Sequence, residues 1–476
     1  MAFYDAILNN LPEVQGPQQK RLSFKEKLKW TLMVLVLYFI MGAIPLFGIG
    51  QFVKEQFEFI SIILGAKFGS IISLGIGPIV TGSIILQLLQ GSGLVKFDTS
   101  STEGRKRYQG VQKLTSFFFV IFEAFIYVYM NALPPEVGIS PLVIVFQLIL
   151  GGIMIMFLDE VVTKWGFGHG ISLFIAAGVS EEIFIRGFSW FHVIGPGGQK
   201  GEEFIGALPE LIRVLPLGDT TTVGLKIAAI LGTIIVFAMA VYGQAMKIEI
   251  PLSFGRIRGH GIRWPLAFIY TSNIPVILVA ALLANVQLLA RFFQNWTQNS
   301  TGIMLFISEH IIGRYQGTNP ASGLVKWVSI PGGRMGLIGE IITNGFAGVP
   351  GTHYLQALTY MIFMIIGSVI FAIFWVQTSG MDAKSQAKQI MDSGLQMPGF
   401  RRDPRVLEYI LNRYIWPLTI MGGITVGFLA SFADLAGALS RGTGILLAVM
   451  IIYKLYEEVA KQHMMDMHPA MRRFME

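Results

Sequence analysis

The chain has 476 residues, of which 53% are hydrophobic and only 14% charged, and its formal net charge is +7. Soluble domains run near a quarter charged, so this composition points to a polytopic membrane protein rather than a large soluble core. It contains no cysteine, which excludes disulfides, thiolate metal sites and cysteine nucleophiles.

Residues 1–29 are too polar for a cleavable signal peptide and contain Pro12 and Pro17. Phe3, Ile7 and Leu11 recur every four residues beside Ala6 and Val14. That pattern fits a short amphipathic helix in the membrane interface and, equally, an ordinary docking segment. A span needs about 20 mostly apolar residues. Apolar runs between polar or Gly/Pro punctuation predict ten spans, over 28–46, 76–90, 112–132, 141–162, 170–188, 223–242, 264–288, 355–377, 408–430 and 440–457. With the N-terminus inside, the inner segments hold 24 Lys and Arg and the outer segments 9; Arg186, Lys226 and Arg413 lie within spans. This asymmetry supports ten spans with both termini cytoplasmic.

The expected fold is therefore an all-α polytopic membrane protein with two halves of five spans. The first half covers 28–188 and the second 223–457, joined by an external linker at 189–222, with an N-terminal segment at 1–27 and a tail at 458–476. Five is odd, so the second half enters from the opposite side, which permits an inverted repeat with a central site between the halves.

The stretch 57–90 is long enough for a single span, yet Gly75, Gly77 and Pro78 interrupt it. Proline lacks a donor N–H, clashes with the preceding turn and is favoured in the first turn of a new helix. The pattern predicts a short helix over 57–70, a break, and a fresh helix from Ile76 to Gln90; a proline kink in a plain span is the simpler alternative. Non-helical backbone at membrane depth is tolerated only where protein or a water-filled cavity surrounds it. Ile76 and Val80 lie one turn apart on the fresh helix, and Ile171 and Ile175 repeat that spacing after Gly168 and Gly170. Such spacing is also common in ordinary apolar helices. Glu123 is the one carboxylate deep in an apolar run. A charge there costs about 3 kcal/mol on insertion, so it is expected to face protein.

Two inner loops are basic. The loop at 243–263 holds Arg256, Arg258 and Arg263, and the loop at 378–405 holds Lys384, Lys388, Arg401, Arg402 and Arg405. Charge alone reads as ordinary positive-inside bias.

Five stretches carry a resemblance: GIGPIVTGSIILQLLQGSG (75–93), GFGHGISLFIAAGVSEEIF (166–184), IEIPLSFGRIRG (248–259), YTSNIPVILVAALLANVQL (270–288) and GALSRGTGILLAVMIIYKLYEEV (437–459). Together they resemble the SecY-type protein-conducting channel, the large subunit of the Sec translocon, in its archaeal and eukaryotic branch. The resemblance implies an hourglass pore between the halves, closed by an apolar ring of Ile76, Val80, Ile171, Ile175, Ile277 and Leu447. It implies that 57–70 is a plug, hinged at Gly75, Gly77 and Pro78. Thr81, Glu123 and Asn285 become a polar cluster at a lateral gate between the second and seventh helices. Arg256, Arg258, Arg401 and Arg402 become ribosome-docking residues. The implied partners are a SecE/gamma-type and a beta-type small subunit, the ribosome, signal sequences and nascent polypeptides, and the lipid bilayer. The implied membrane is that of an archaeal cell. No catalysis, metal or cofactor is expected.

Two other classes compete. An intramembrane protease lacks its general base, because all seven histidines lie outside span interiors and no HExxH or paired intramembrane aspartates occur. No Walker A motif is present, so driving energy must come from a partner. A secondary transporter would share ten spans and a broken helix, but it would need several intramembrane charges.

Overall fold

The structure is a computed structural model that describes residues 12–18, 22–49, 69–91, 94–95, 97, 102–129, 133–136, 138–194, 200–254, 261–271, 274–297, 307–316, 319–392, 395–396 and 403–467. Ten long helices among these residues correspond one to one with the predicted spans. They are α1 (Phe24–Ala43), α2 (Gly77–Gly91), α3 (Thr102–Tyr129), α4 (Pro141–Trp165), α5 (Gly170–Phe188), α6 (Thr220–Ala245), α7 (Ile274–Trp296), α8 (Gly351–Thr378), α9 (Pro404–Leu435) and α10 (Gly442–Met467).

Their starts are written in the sequence. Ser23 and Glu26 form a reciprocal capping box at α1. Asp219 accepts from the backbone N–H groups of Thr221 and Thr222 at α6. Asp403 caps α9, with Pro404 in the first helical position. Among the described residues, six helical stretches are long and apolar enough to cross a membrane by length and composition: 106–129, 141–165, 220–245, 274–294, 351–392 and 404–435. Helix α2 has 15 residues, about 22 Å at 1.5 Å per residue, which is shorter than the roughly 30 Å of hydrocarbon. It compensates by being enclosed: every residue from Ile72 to Val80 is buried.

The outward faces are as apolar as the interior. Ile362, Ile366 and Ile370 form an exposed stripe on α8, as do Phe118, Phe122 and Phe125 on α3. Contiguous exposed apolar surface of this kind is what lipid covers. Inside, one large buried cluster runs through all ten helices, from Val34 on α1 to Ile451 on α10.

The chain folds into two distinguishable ends. At the end where α1 begins and α10 finishes, Gln462 Nε2 donates to the Leu22 carbonyl. Between α5 and α6, β1 (His192–Ile194) and β2 (Lys200–Phe204) form an antiparallel pair; at the end where α1 begins, β3 (Lys247–Phe254) pairs antiparallel with β4 (Gly261–Ala267), and Ser253 and Phe254 of β3 also pair with the short strand Leu395–Gln396. This sheet joins the two basic loops. The helix Ala383–Asp392 packs below it through Ala387 and Ile390, which share a second apolar cluster with Ile250, Leu266, Leu407 and Leu411. The opposite, far end carries the helix Ala207–Val214 and the helix Gly336–Asn344, both packed on α6.

One expectation is corrected. The apolar pattern starts the seventh span at residue 264, but 264–267 belongs to β4 and the helix starts at Ile274. Ile262, Arg263, Trp264, Pro265 and Leu266 pair in turn with Leu252, Pro251, Ile250, Glu249 and Ile248 of β3, so an apolar stretch that looks helical is spent on a strand. At the N-terminus, Phe3, Ile7 and Leu11 lie outside the described residues, and Val14 sits in non-helical chain. That chain is stapled down: Val14 N donates to Glu160 Oε2 at 2.9 Å, Trp165 Nε1 donates to the Gln15 carbonyl at 2.9 Å, and Lys164 pairs with Glu13. The Lys164 ammonium holds the Glu13 carboxyl below the ordinary carboxylate range.

Candidate functional site

The break before α2 is a series of tight turns. Ser73, Gly75 and Gly77 each donate a backbone bond to the residue three earlier: Ser73 N to Ser70 O at 3.0 Å, Gly75 N to Ile72 O at 2.9 Å and Gly77 N to Leu74 O at 3.2 Å. Gly75 has φ +55°, a left-handed conformation that suits glycine. Pro78 then occupies the first turn of α2, where its missing N–H is not required. The fresh helix begins one residue later than predicted. This turn lies at depth because α4 makes room for it: a Cβ on Gly151 would stand 1.9 Å from the Ile71 carbonyl oxygen. Its start is tied to the end of α1, with Leu46 N donating to Gly69 O at 2.8 Å and Ile71 N to Ile44 O at 3.1 Å. Of the predicted plug at 57–70, residues 57–68 lie outside the described residues.

All six aliphatic ring candidates face inward. Ile76, Val80, Ile175 and Leu447 are buried members of the main cluster, and Ile171 and Ile277 are partly buried and packed against it. They come from α2, α5, α7 and α10 and the turn before α2, so both halves contribute. Leu446, the neighbour of Leu447, is buried too.

The polar candidates are only partly gathered. Thr81 of α2 and Glu123 of α3 lie close enough for their side chains to interact. Asn285 is half-buried on α7, and among the described residues no hydrogen bond joins it to that pair. At the front seam between the halves α2 packs on α7 and α8, and among the described residues no side-chain hydrogen bond or ion pair crosses it.

The back seam differs, and the sequence reading missed it. Here α5 and α6 pack on α10, and the turn between α9 and α10 carries a network of charged and hydroxyl groups. Ser440 Oγ donates to Glu182 Oε2 at 2.5 Å, while Arg186 pairs with Glu182 at 2.9 Å and donates to the Leu439 carbonyl at 3.3 Å. Asp434 accepts from Tyr360 Oη at 2.6 Å and from Gly442 N at 2.7 Å. Arg441 interacts electrostatically with both Asp434 and Glu182. Glu123 is thus not the only deep acid. Asp434 was missed because α9 runs on to Leu435, past the predicted end at 430.

Residues 255–260 and 397–402, which contain Arg256, Arg258, Arg401 and Arg402, lie outside the described residues. The strands beside them are described, and their pairing brings the two loops together. Among the described residues no group of His, Asp or Glu is arranged to hold a metal ion.

With this geometry in view, known proteins supply the context. The SecY family profile matches residues 70–456, and the profile of the plug domain of Sec61p matches residues 36–69. The protein translocase subunit SecY of Methanocaldococcus jannaschii is 42% identical over 470 residues, covering 98% of each chain. That of Methanothermobacter thermautotrophicus is 41% identical, covering 99% of this chain and 98% of its own. A solved protein-conducting channel superposes with a TM-score of 0.81 at 41% identity, and Sec61 from the canine ribosome–channel complex of the endoplasmic reticulum with 0.78 at 40%; each match covers 98% of both chains. These matches do not favour the transporter reading.

Proposed function

The chain belongs to the SecY family, and on that premise we propose that it is the central pore-forming subunit of a protein translocase. It passes unfolded secretory polypeptides across the membrane and releases transmembrane segments sideways into lipid. The observation that carries this reading is the convergence of six aliphatic side chains from both halves on one buried cluster, beside a helix broken at membrane depth.

Ile76, Val80, Ile171, Ile175, Ile277 and Leu447 form the ring. A constriction of Ile, Val and Leu excludes water and ions by dewetting. The same side chains make no directional bonds, so a passing polypeptide of any sequence meets a soft apolar collar. Gly75, Gly77 and Pro78 separate the plug at 57–70 from α2 and give it a hinge. Thr81, Glu123 and Asn285 are the polar residues of the lateral gate, where an apolar signal segment displaces the closed contact between α2 and α7. The halves are 28–188 and 223–457, linked outside at 189–222, between the cytoplasmic segments 1–27 and 458–476.

Orientation follows from charge. Both termini and the basic loops face the cytoplasm of an archaeal cell, and Arg256, Arg258, Arg401 and Arg402 dock the ribosome. Guanidinium groups suit RNA phosphates by charge and bidentate geometry, and such docking weakens with salt. The sheet that joins the two loops presents them as one platform. A SecE/gamma-type and a beta-type subunit complete the complex; the ribosome, signal sequences and nascent chains are its working partners.

Proteoliposomes holding this chain and its small subunits, supplied with ribosomes translating a secretory precursor, test the reading. The precursor is expected to become protease-protected. Lack of protection, together with accumulation of a small solute, would overturn it in favour of a transporter.

A further inference from the structure

Residues 307–316 and 319–330, between α7 and α8, had no role in the sequence reading, yet they bond both helices at the far end. They contain a helical turn at Ile307–Ile312, a hairpin of Tyr315–Gln316 with Asn319–Pro320, and a short helix at Gly323–Trp327. Gly313 and Gly323 let the segment fold on itself: a Cβ on Gly323 would lie 2.4 Å from the Gly313 Cα. Ser308, Val325, Val328, Ser329 and Ile330 are all buried, although they belong to a connection.

Its partners lie on one face of α7. Gln287, Ala290, Arg291, Gln294 and Thr297 recur at the three- and four-residue spacing of a helical stripe. Gln294 holds both polar atoms of the Tyr315 backbone, accepting from its N–H at 2.8 Å and donating to its carbonyl at 2.9 Å. The Arg291 guanidinium sits 4.2 Å from the centre of the Tyr315 ring. Ala290, Tyr315 and Val325 form a separate apolar cluster beneath it. Thr297 Oγ1 donates to Ser308 Oγ at 3.0 Å.

The same segment grips α8. Ser329 accepts from Gln287 of α7 through its hydroxyl at 3.3 Å and from Gln356 of α8 through its carbonyl at 3.0 Å. Thr359 of α8 donates to the Trp327 carbonyl at 2.9 Å. A rotation of 100° per residue puts Asn285 about half a turn from the centre of this stripe. The proposed gate face of α7 therefore points away from the segment that holds it.

We propose that residues 307–316 and 319–330 are a brace that locks α7 to α8, so that the two helices move as one body when the seam with α2 parts. Gln287, Gln294, Arg291 and Tyr315 are positioning residues: they fix where α7 rests, and so how apolar a signal must be to part the seam. This rests on the channel reading above. Loosening the brace frees α7 to shift alone and weakens the closed contact.

The test uses the reconstituted complex and two sets of variants. Gln294→Ala with Tyr315→Ala is expected to raise passage of a precursor with a marginally apolar signal at least fivefold relative to one with a strongly apolar signal. Tyr315→Phe, which keeps the ring under Arg291, is expected to leave that ratio unchanged. A merely structural role would lower passage of both precursors together, and an unchanged ratio in the double variant would overturn the proposal. If the unmodified complex passes no precursor, the channel reading itself has failed.

Discussion

The two seams between the halves are built from opposite materials. At the back, α5 is joined to the turn between α9 and α10 by charge-assisted hydrogen bonds from Ser440 to Glu182 and from Arg186 to the Leu439 carbonyl and by the electrostatic interaction of Arg441 with Glu182, and Gly444 of α10 comes close enough to α5 that a Cβ there would meet Val179 at 3.2 Å. At the front, α2 faces α7 and α8 with no described side-chain hydrogen bond or ion pair across the seam, and the one polar contact among the gate candidates, between Thr81 and Glu123, lies within the first half. Directional bonds among desolvated charges are costly to break and tolerate little displacement. Aliphatic contact can slide and re-form, and a lipid tail or an apolar signal can replace it. The difference teaches which seam opens: the back is made to persist, and the front is made to be exchanged.

The largest expected effect is at the back. Arg441→Leu strips compensation from Asp434 and Glu182 and is expected to cost about 3–5 kcal/mol, as breaking buried pairs does; thermal melting of the purified complex reads it. A melting point close to wild type would erase the contrast. Tyr360→Phe removes one hydrogen bond to a carboxylate and is expected to cost about 1.5–3 kcal/mol in the same assay. At the front, Thr81→Val is expected to cost only about 1 kcal/mol while shifting the minimum signal hydrophobicity needed for insertion. Asn285→Leu is expected to leave the melting point unmoved and to shift that threshold alone. A stability loss at Asn285 as large as that at Arg441 would show that the front, too, is a fixed joint.

The smallest expected effect concerns the helix Ala207–Val214, which leans on α6 beside the back seam. Its Glu210 carboxylate bonds Arg213 at 2.6 Å and the Phe204 N–H at 2.7 Å, and the Arg213 bond holds it below the ordinary carboxylate range. A depressed folded value means that its contribution is complete above the ordinary range and fades as pH falls through the lowered one. Amide exchange over 204–214 is expected to stay slow from neutral to mildly acid pH and to quicken only in stronger acid. Glu210→Gln is expected to flatten that dependence.

The helices were legible because each span is a long apolar run bounded by charge, Gly or Pro, and the break before α2 was legible from Gly75, Gly77 and Pro78. The start of α7 was not, since 264–267 is equally apolar as strand or helix and only pairing with β3 decides. The back-seam network was illegible for another reason. Glu182 and Ser440 are 258 residues apart, and neither stands out alone in a helical pattern. The brace stayed hidden because Gln287, Gln294 and Gln356 are ordinary polar residues until a folded segment presents backbone groups to them.

The central claim is an inward-facing aliphatic collar through which an unfolded chain passes. Site-specific photocrosslinking of a stalled nascent chain tests it most directly, with the probe placed in turn at Ile76, Val80 and Ile175 and, as lipid-facing controls, at Ile366 and Phe146. The account predicts nascent-chain adducts at the first three positions and none at the controls. Equal labelling at all five, or adducts only at the controls, would contradict it.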